Sequence, residues 1–236
     1  MRKETEKTDH GNERAERETF TYNQMGSAEG AADENILSEA KVQYACKRQG
    51  EYTLGDYYAL PDEQRVELID GVIYDMAAPG GDHQTAAAQI FRQLDDYIEV
   101  NGGSCVPFVS PIDVQLDCDD RTMVQPDVAV LCDRRKYTER CIYGAPDLVI
   151  EVLSPSTSKK DQTIKLRKYQ NAGVREYWMV NLKQEKVIVY DFEHAGDVKV
   201  MPVIYGMDKP IPVQIYGGKC QITFERYFAR MKTLAK

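Results

Sequence analysis

Apolar and polar positions alternate along this chain with two periods, one of about two residues and one of three to four. Residues 65–76, "RVELIDGVIYDM", hold two short β-rich arms around Asp70-Gly71 and predict a hairpin turning at that pair. In "GDHQTAAAQIFRQLDDYIEVNGG" (81–103), Ala87, Ile90, Leu94, Tyr97 and Ile98 recur at helical spacing, and Gly102-Gly103 end the helix. "CVPFVSPIDVQLD", "PDVAVLC" and "PDLVIEVL" predict three strands separated by polar and turn residues. "STSKKDQTIKLRKYQNAG" reads as a helix entered through Ser and Thr and left at Gly173. "EYWMVN" and "KVIVYDF" predict a hairpin across Leu182–Glu185, "KVMPVIY" a further strand and "ITFERYFARMK" a closing helix. A short helix starts in "TLGDYYAL", with Thr53 as N-cap and Asp56 three residues on. The order of elements gives an α/β domain on a mixed sheet.

Residues 1 to about 50 break the pattern. They are rich in Glu, Arg, Lys and Asn and poor in β-branched residues, a composition that buries little surface. They read as a mobile N-terminal tail with one short helix around Ile36, Leu37, Ala40 and Tyr44, before a domain over residues 51–236. With 42% apolar and 29% charged residues, the chain belongs to the soluble globular class. The N-terminus has basic residues but no apolar stretch of a secretory signal, and no C-x-x-C pair occurs among the six cysteines. Reduced thiols and a cytoplasmic location are the expectation. A net charge of −8 argues against a surface that coats nucleic acid, but residues 158–168 concentrate five basic residues against one acid.

The chemistry centres on Glu151, an acid inside the apolar run "DLVIEVL". An uncompensated carboxylate in a buried strand costs several kcal/mol, so it must be neutralised, paired or bound to a cation. Asp127 opens the preceding strand in "QPDVAV", and Glu67 lies in "VELIDG". If the strands of Asp127 and Glu151 are antiparallel neighbours, the two carboxylates converge at one edge of the sheet. At about 4 Å they repel by roughly 4 kcal/mol, so a proton or a cation must lie between them. Oxygen-only ligands suit a hard ion such as Mg²⁺ or Mn²⁺. The residue two beyond Glu151, on the same strand face, is Leu153 and not a lysine. Asp161, Lys165 and Tyr169 form one ridge of the next helix, from which Lys165 can point back.

These residues carry a resemblance. "YTLGDYYAL", "VELIDG", "GDHQ", "QPDVAVL", "GAPDLVIEVLSPST", "DQTIKLRKYQNAGVREYWMVN" and "KVIVY" resemble the Uma family of restriction endonucleases, a branch of the PD-(D/E)XK nuclease superfamily, over about Tyr52 to Phe228. The resemblance implies a restriction-endonuclease-like core with flanking helices. It also implies an Mg²⁺- or Mn²⁺-dependent endonuclease that hydrolyses phosphodiester bonds of nucleic acid, DNA in the first instance. Glu67, Asp127 and Glu151 become the acidic cluster and Lys165 the displaced lysine. Asp127, Glu151 and the backbone carbonyl of Val152 become the metal ligands. His83 matches a histidine near the first helix; with Lys159, Lys160 and Lys168 it is a candidate phosphate contact. A homodimer would suit cleavage of both strands. Ordinary readings compete: Glu67 as an exposed residue pairing with Arg65, Lys165 as a solvated charge, His83 as a cap, and Tyr57, Tyr58, Tyr177 and Trp178 as core. Two other functions stay open. One is an inactive nuclease-fold domain that binds nucleic acid or a protein partner, which Leu153 would suit; the other is a phosphoesterase acting on small molecules.

Overall fold

The computed structural model describes residues 47–61, 63–154, 161–194 and 200–234, without the side chains of Asp161 and Gln162. The expected N-terminal tail up to residue 46, with the short helix expected there, lies outside these residues, as do Lys159 and Lys160. In chain order the first half contains α1 (Leu54–Tyr58), β1 (Val66–Ile69), β2 (Val72–Asp75), α2 (Gly81–Val100), β3 (Val106–Val109), β4 (Val114–Gln115), β5 (Val128–Leu131), β6 (Ile142–Tyr143) and β7 (Leu148–Val152). The second half contains α3 (Leu166–Ala172), β8 (Glu176–Asn181), β9 (Lys186–Asp191), β10 (Val203–Gly206), β11 (Ile211–Val213), β12 (Cys220–Ile222) and α4 (Glu225–Leu234).

Six strands form one mixed sheet in the order β10-β9-β8-β7-β5-β3, in which only β7 and β8 run parallel. Side-chain alternation splits β7 between two apolar layers. Leu148, Ile150 and Val152 pack with Trp178 and Val180 under Ile90 and Leu94 of α2. Val149 faces the other side, with Tyr177, Met179 and Tyr169 of α3. Glu151 shares that second side.

The β1–β2 hairpin turns at Asp70-Gly71, both with positive φ (51° and 76°), the backbone that an Asp-Gly pair adopts cheaply. Thr53 begins α1, its amide donating to the Asp56 carboxylate at 2.8 Å. Elsewhere the sequence reading needs correction. "CVPFVSPIDVQLD" is two strands, divided at a cis Ser110–Pro111 bond. A β11–β12 hairpin occupies residues to which the sequence pattern assigns no element, and its end at Ile222 overlaps the expected closing helix, which starts only at Glu225. The helix after β7 opens as a π-helical segment, Asp161–Lys165, before α3. Tyr58, expected in the core, is 40% exposed. Cys105 and Cys132, expected as thiols, form a disulfide. They stand one step beyond the Val106↔Leu131 pair of β3 and β5, so strand register brings together two residues 27 apart in sequence.

Candidate active site

The register of β5 and β7 positions the first two acids. Val128 stands opposite Ile150 across an antiparallel pair, and Asp127 and Glu151 are the next residues along the two backbones. The Val152 amide donates to Asp127 Oδ2 at 2.7 Å, which fixes that carboxylate at the strand end. His83, in the first turn of α2, places its Nε2 3.1 Å from the same oxygen.

Glu151 is held from the other layer. Its Oε1 accepts from Lys165 Nζ and from the Tyr169 hydroxyl, each at 2.7 Å. Lys165 Nζ also lies 2.6 Å from Glu67 Oε1, which accepts in addition from the Gln125 amide at 3.1 Å. Glu67, Glu151 and Lys165 are all buried, at 0%, 4% and 2% exposure. Glu67 is therefore not the exposed strand residue that one reading offered. Burial makes each of these charges dependent on the others, because an ammonium between two carboxylates supplies the countercharge that water cannot.

Glu67, His83, Asp127, Glu151, Val152 and Lys165 all border one cavity of about 650 Å³. Lys168 is not on its wall; it bonds to Asp70 at 2.7 Å and to Asp117. Those two carboxylates hold its ammonium above the ordinary lysine range against the opposing effect of burial. Among the described residues, no group of three or more histidine, cysteine, aspartate or glutamate side chains is arranged to hold a metal ion. Asp127, Glu151 and Val152 line that wall, and carboxylate and carbonyl oxygens are donors of the hard-oxygen kind. Glu67 borders the same cavity and is bonded there to Lys165.

A family model described as "Putative restriction endonuclease", Uma2, matches residues 54–218. The chain belongs to the Uma2 family. An uncharacterized protein, slr1290, from Synechocystis sp. is 29% identical over 145 residues, covering 60% of this chain and 75% of its own. The crystal structure of a putative nuclease belonging to DUF820 from Anabaena variabilis superposes with a TM-score of 0.61 at 20% identity, over 75% of this chain and 97% of the other. At that identity the likeness is one of fold. Family and fold together point to a nuclease.

In this Uma2 chain several residues join the site that sequence reasoning did not assign to it. Tyr169 lies on the ridge recognised for Lys165, one turn further on, and that spacing was the available signal. Gln125 and Arg65 carry none: each is a polar residue in a short connecting or strand-end segment. Yet Gln125 fixes Glu67, and Arg65 lines the cavity.

Proposed function

We propose that the chain is a metal-dependent endonuclease that hydrolyses phosphodiester bonds of nucleic acid, with DNA as its substrate. The observation that supports this reading is that Asp127 and Glu151, next to the paired ends of β5 and β7, border one cavity together with the buried Lys165. In this reading Asp127, Glu151 and the carbonyl of Val152 hold Mg²⁺ or Mn²⁺. When bound, such an ion polarises a phosphate and lowers the pKa of a water. The residues themselves do the rest. His83 and the Val152 amide orient Asp127, and Tyr169 orients Glu151. Lys165 acts as a fixed cation that offsets charge developing on the phosphate, since a lysine amine between two carboxylates is a poor base at neutral pH. Delivery of this cation from the helix answers the Leu153 substitution, which favours an active site over a decayed one.

The test is cleavage of labelled single-stranded DNA, duplex DNA and RNA with Mg²⁺ or Mn²⁺, using wild type, Asp127→Asn and Glu151→Gln. Metal-dependent cleavage of DNA, reduced about 100-fold or more in both variants, supports the reading. Cleavage that persists unchanged in both would place the chemistry elsewhere. Activity on free nucleotides alone would make the protein a small-molecule phosphoesterase.

A further inference from the structure

Beside the acidic cavity lies a second cleft of about 390 Å³, and the two share Arg65 and Gln125 on their walls. Its other walls include Tyr57, Tyr58, Pro61 and Pro111, flat apolar surfaces of the kind on which a nucleobase stacks. Tyr58 is 40% exposed, and the Arg140 guanidinium lies 4.7 Å from its ring centroid, adding positive charge to the rim. Arg65 is held in place without being neutralised. Its Nη2 donates to Gln125 Oε1 at 3.0 Å and to Ser110 Oγ at 3.4 Å, both uncharged acceptors. Among the described residues it has no carboxylate partner. Gln125 is fixed in turn: its amide donates to the Tyr57 hydroxyl at 3.0 Å and to Asp113 Oδ1 at 2.9 Å. The Tyr57 hydroxyl donates to the same Asp113 oxygen at 3.0 Å, so that oxygen of the one acid lining this cleft among the described residues is taken by two donors.

A cation so placed, at the junction of a carboxylate-lined cavity and an aromatic cleft, suits an anion joined to a planar base. We infer that the second cleft is a nucleotide subsite: Arg65 takes the phosphate next to the scissile one, and the Tyr58 side of the cleft takes the adjoining base, unpaired. This rests on the nuclease reading of the first cavity and extends it to a substrate that is single-stranded or splayed open at the site. An arginine fork fits this place better than a lysine would, because its donors address Gln125 and a phosphate at once.

The experiment is fluorescence anisotropy with a fluorescein-labelled single-stranded DNA of about 12 nucleotides, in Ca²⁺ to hold back turnover, across a series of salt concentrations. A blunt duplex of the same sequence serves as comparison. Wild type is expected to bind the single strand more tightly than the duplex. Arg65→Met is expected to weaken binding about tenfold and to flatten the salt slope by about 0.7, the value of one single-strand phosphate contact. Tyr58→Ala is expected to weaken it about 5- to 150-fold with the slope unchanged, since stacking releases no counterions. Arg65→Lys should keep the slope while losing part of the affinity. Because Tyr58 is exposed, its variant keeps its fold, and circular dichroism checks both. If Arg65→Met and Tyr58→Ala bind within twofold of wild type while Asp127→Asn and Glu151→Gln lose cleavage, the subsite is overturned and the nuclease reading stands. Duplex binding tighter than single-strand binding, with Tyr58→Ala unaffected, also overturns it. A wild type that neither binds nor cleaves either polymer sinks the nuclease reading and this inference together.

Discussion

At the scale of single residues, the site is a charge problem solved by one ammonium. Lys165 Nζ lies within 2.7 Å of both Glu67 and Glu151, and all three side chains are buried. Lys165→Met would strand two carboxylates in a dry environment, and stability should fall by about 3–5 kcal/mol in urea unfolding. Tyr169→Phe is a milder probe, because the ring is kept and only the donor to Glu151 goes. A loss of about 1.5–3 kcal/mol is expected, the value of a hydrogen bond to a charged group. Outside the site, Glu176 is fully buried and accepts from Trp178 Nε1 at 2.6 Å and from the Ile215 amide at 2.9 Å. Burial pushes its carboxyl above the usual carboxylate range, and these donors only partly oppose it. The native state thus binds this proton more tightly than the unfolded chain. Its contribution to stability is full below the ordinary glutamate range and is lost as pH rises through the raised value. The melting temperature of wild type minus that of Glu176→Gln should therefore decline as pH rises above the ordinary glutamate value of 4.5. A difference that stays level with pH would assign the effect to another group.

At the scale of elements, what could be read depended on whether the signal was local. Asp70-Gly71 announced its turn, and Gly173 announced the end of α3, where it adopts φ 91°. Nothing lies within 4 Å of a Cβ built at Gly173, so Gly173→Ala meets only the backbone penalty of a left-handed residue. About 1 kcal/mol of lost stability by chemical denaturation is expected. That Asp127 and Glu151 border one cavity was legible only on the condition that β5 and β7 pair antiparallel, as they do. The β11–β12 hairpin was not legible, because Pro212 in the middle of a three-residue strand removes a ladder donor and argues against a strand. Tyr169 was placed on the correct ridge, but its hydroxyl found Glu151 through the packing of α3 on the sheet, which no spacing encodes. Arg65 and Gln125 belong to the same class: their importance arises from tertiary contacts with Ser110, Tyr57 and Asp113.

At the scale of the whole molecule, the pairing of β3 with β5 ties Cys105 to Cys132, while Cys118, Cys141 and Cys220 stay as thiols. Maleimide labelling of the unfolded chain should detect two further thiols after reduction, and reduction should cost about 3–4 kcal/mol in the chain-entropy picture. Labelling that is equal with and without reductant would contradict the pairing. Among the described residues no helix is long and apolar enough to cross a membrane. The candidate site is assembled from three separate units: Glu67 on the β1–β2 ribbon, Asp127 and Glu151 on the large sheet, and Lys165 where the π-helical segment meets α3. That division has a dynamic consequence. Each time α3 lifts away, it draws with it Lys165, which stands at its start and bonds to Glu67 and Glu151, so detachment exposes an electrostatic debt larger than the contacts of its seven residues. In native-state hydrogen exchange, the amides of α3 should then open together with the sheet, and Lys165→Met should release the helix to exchange by itself.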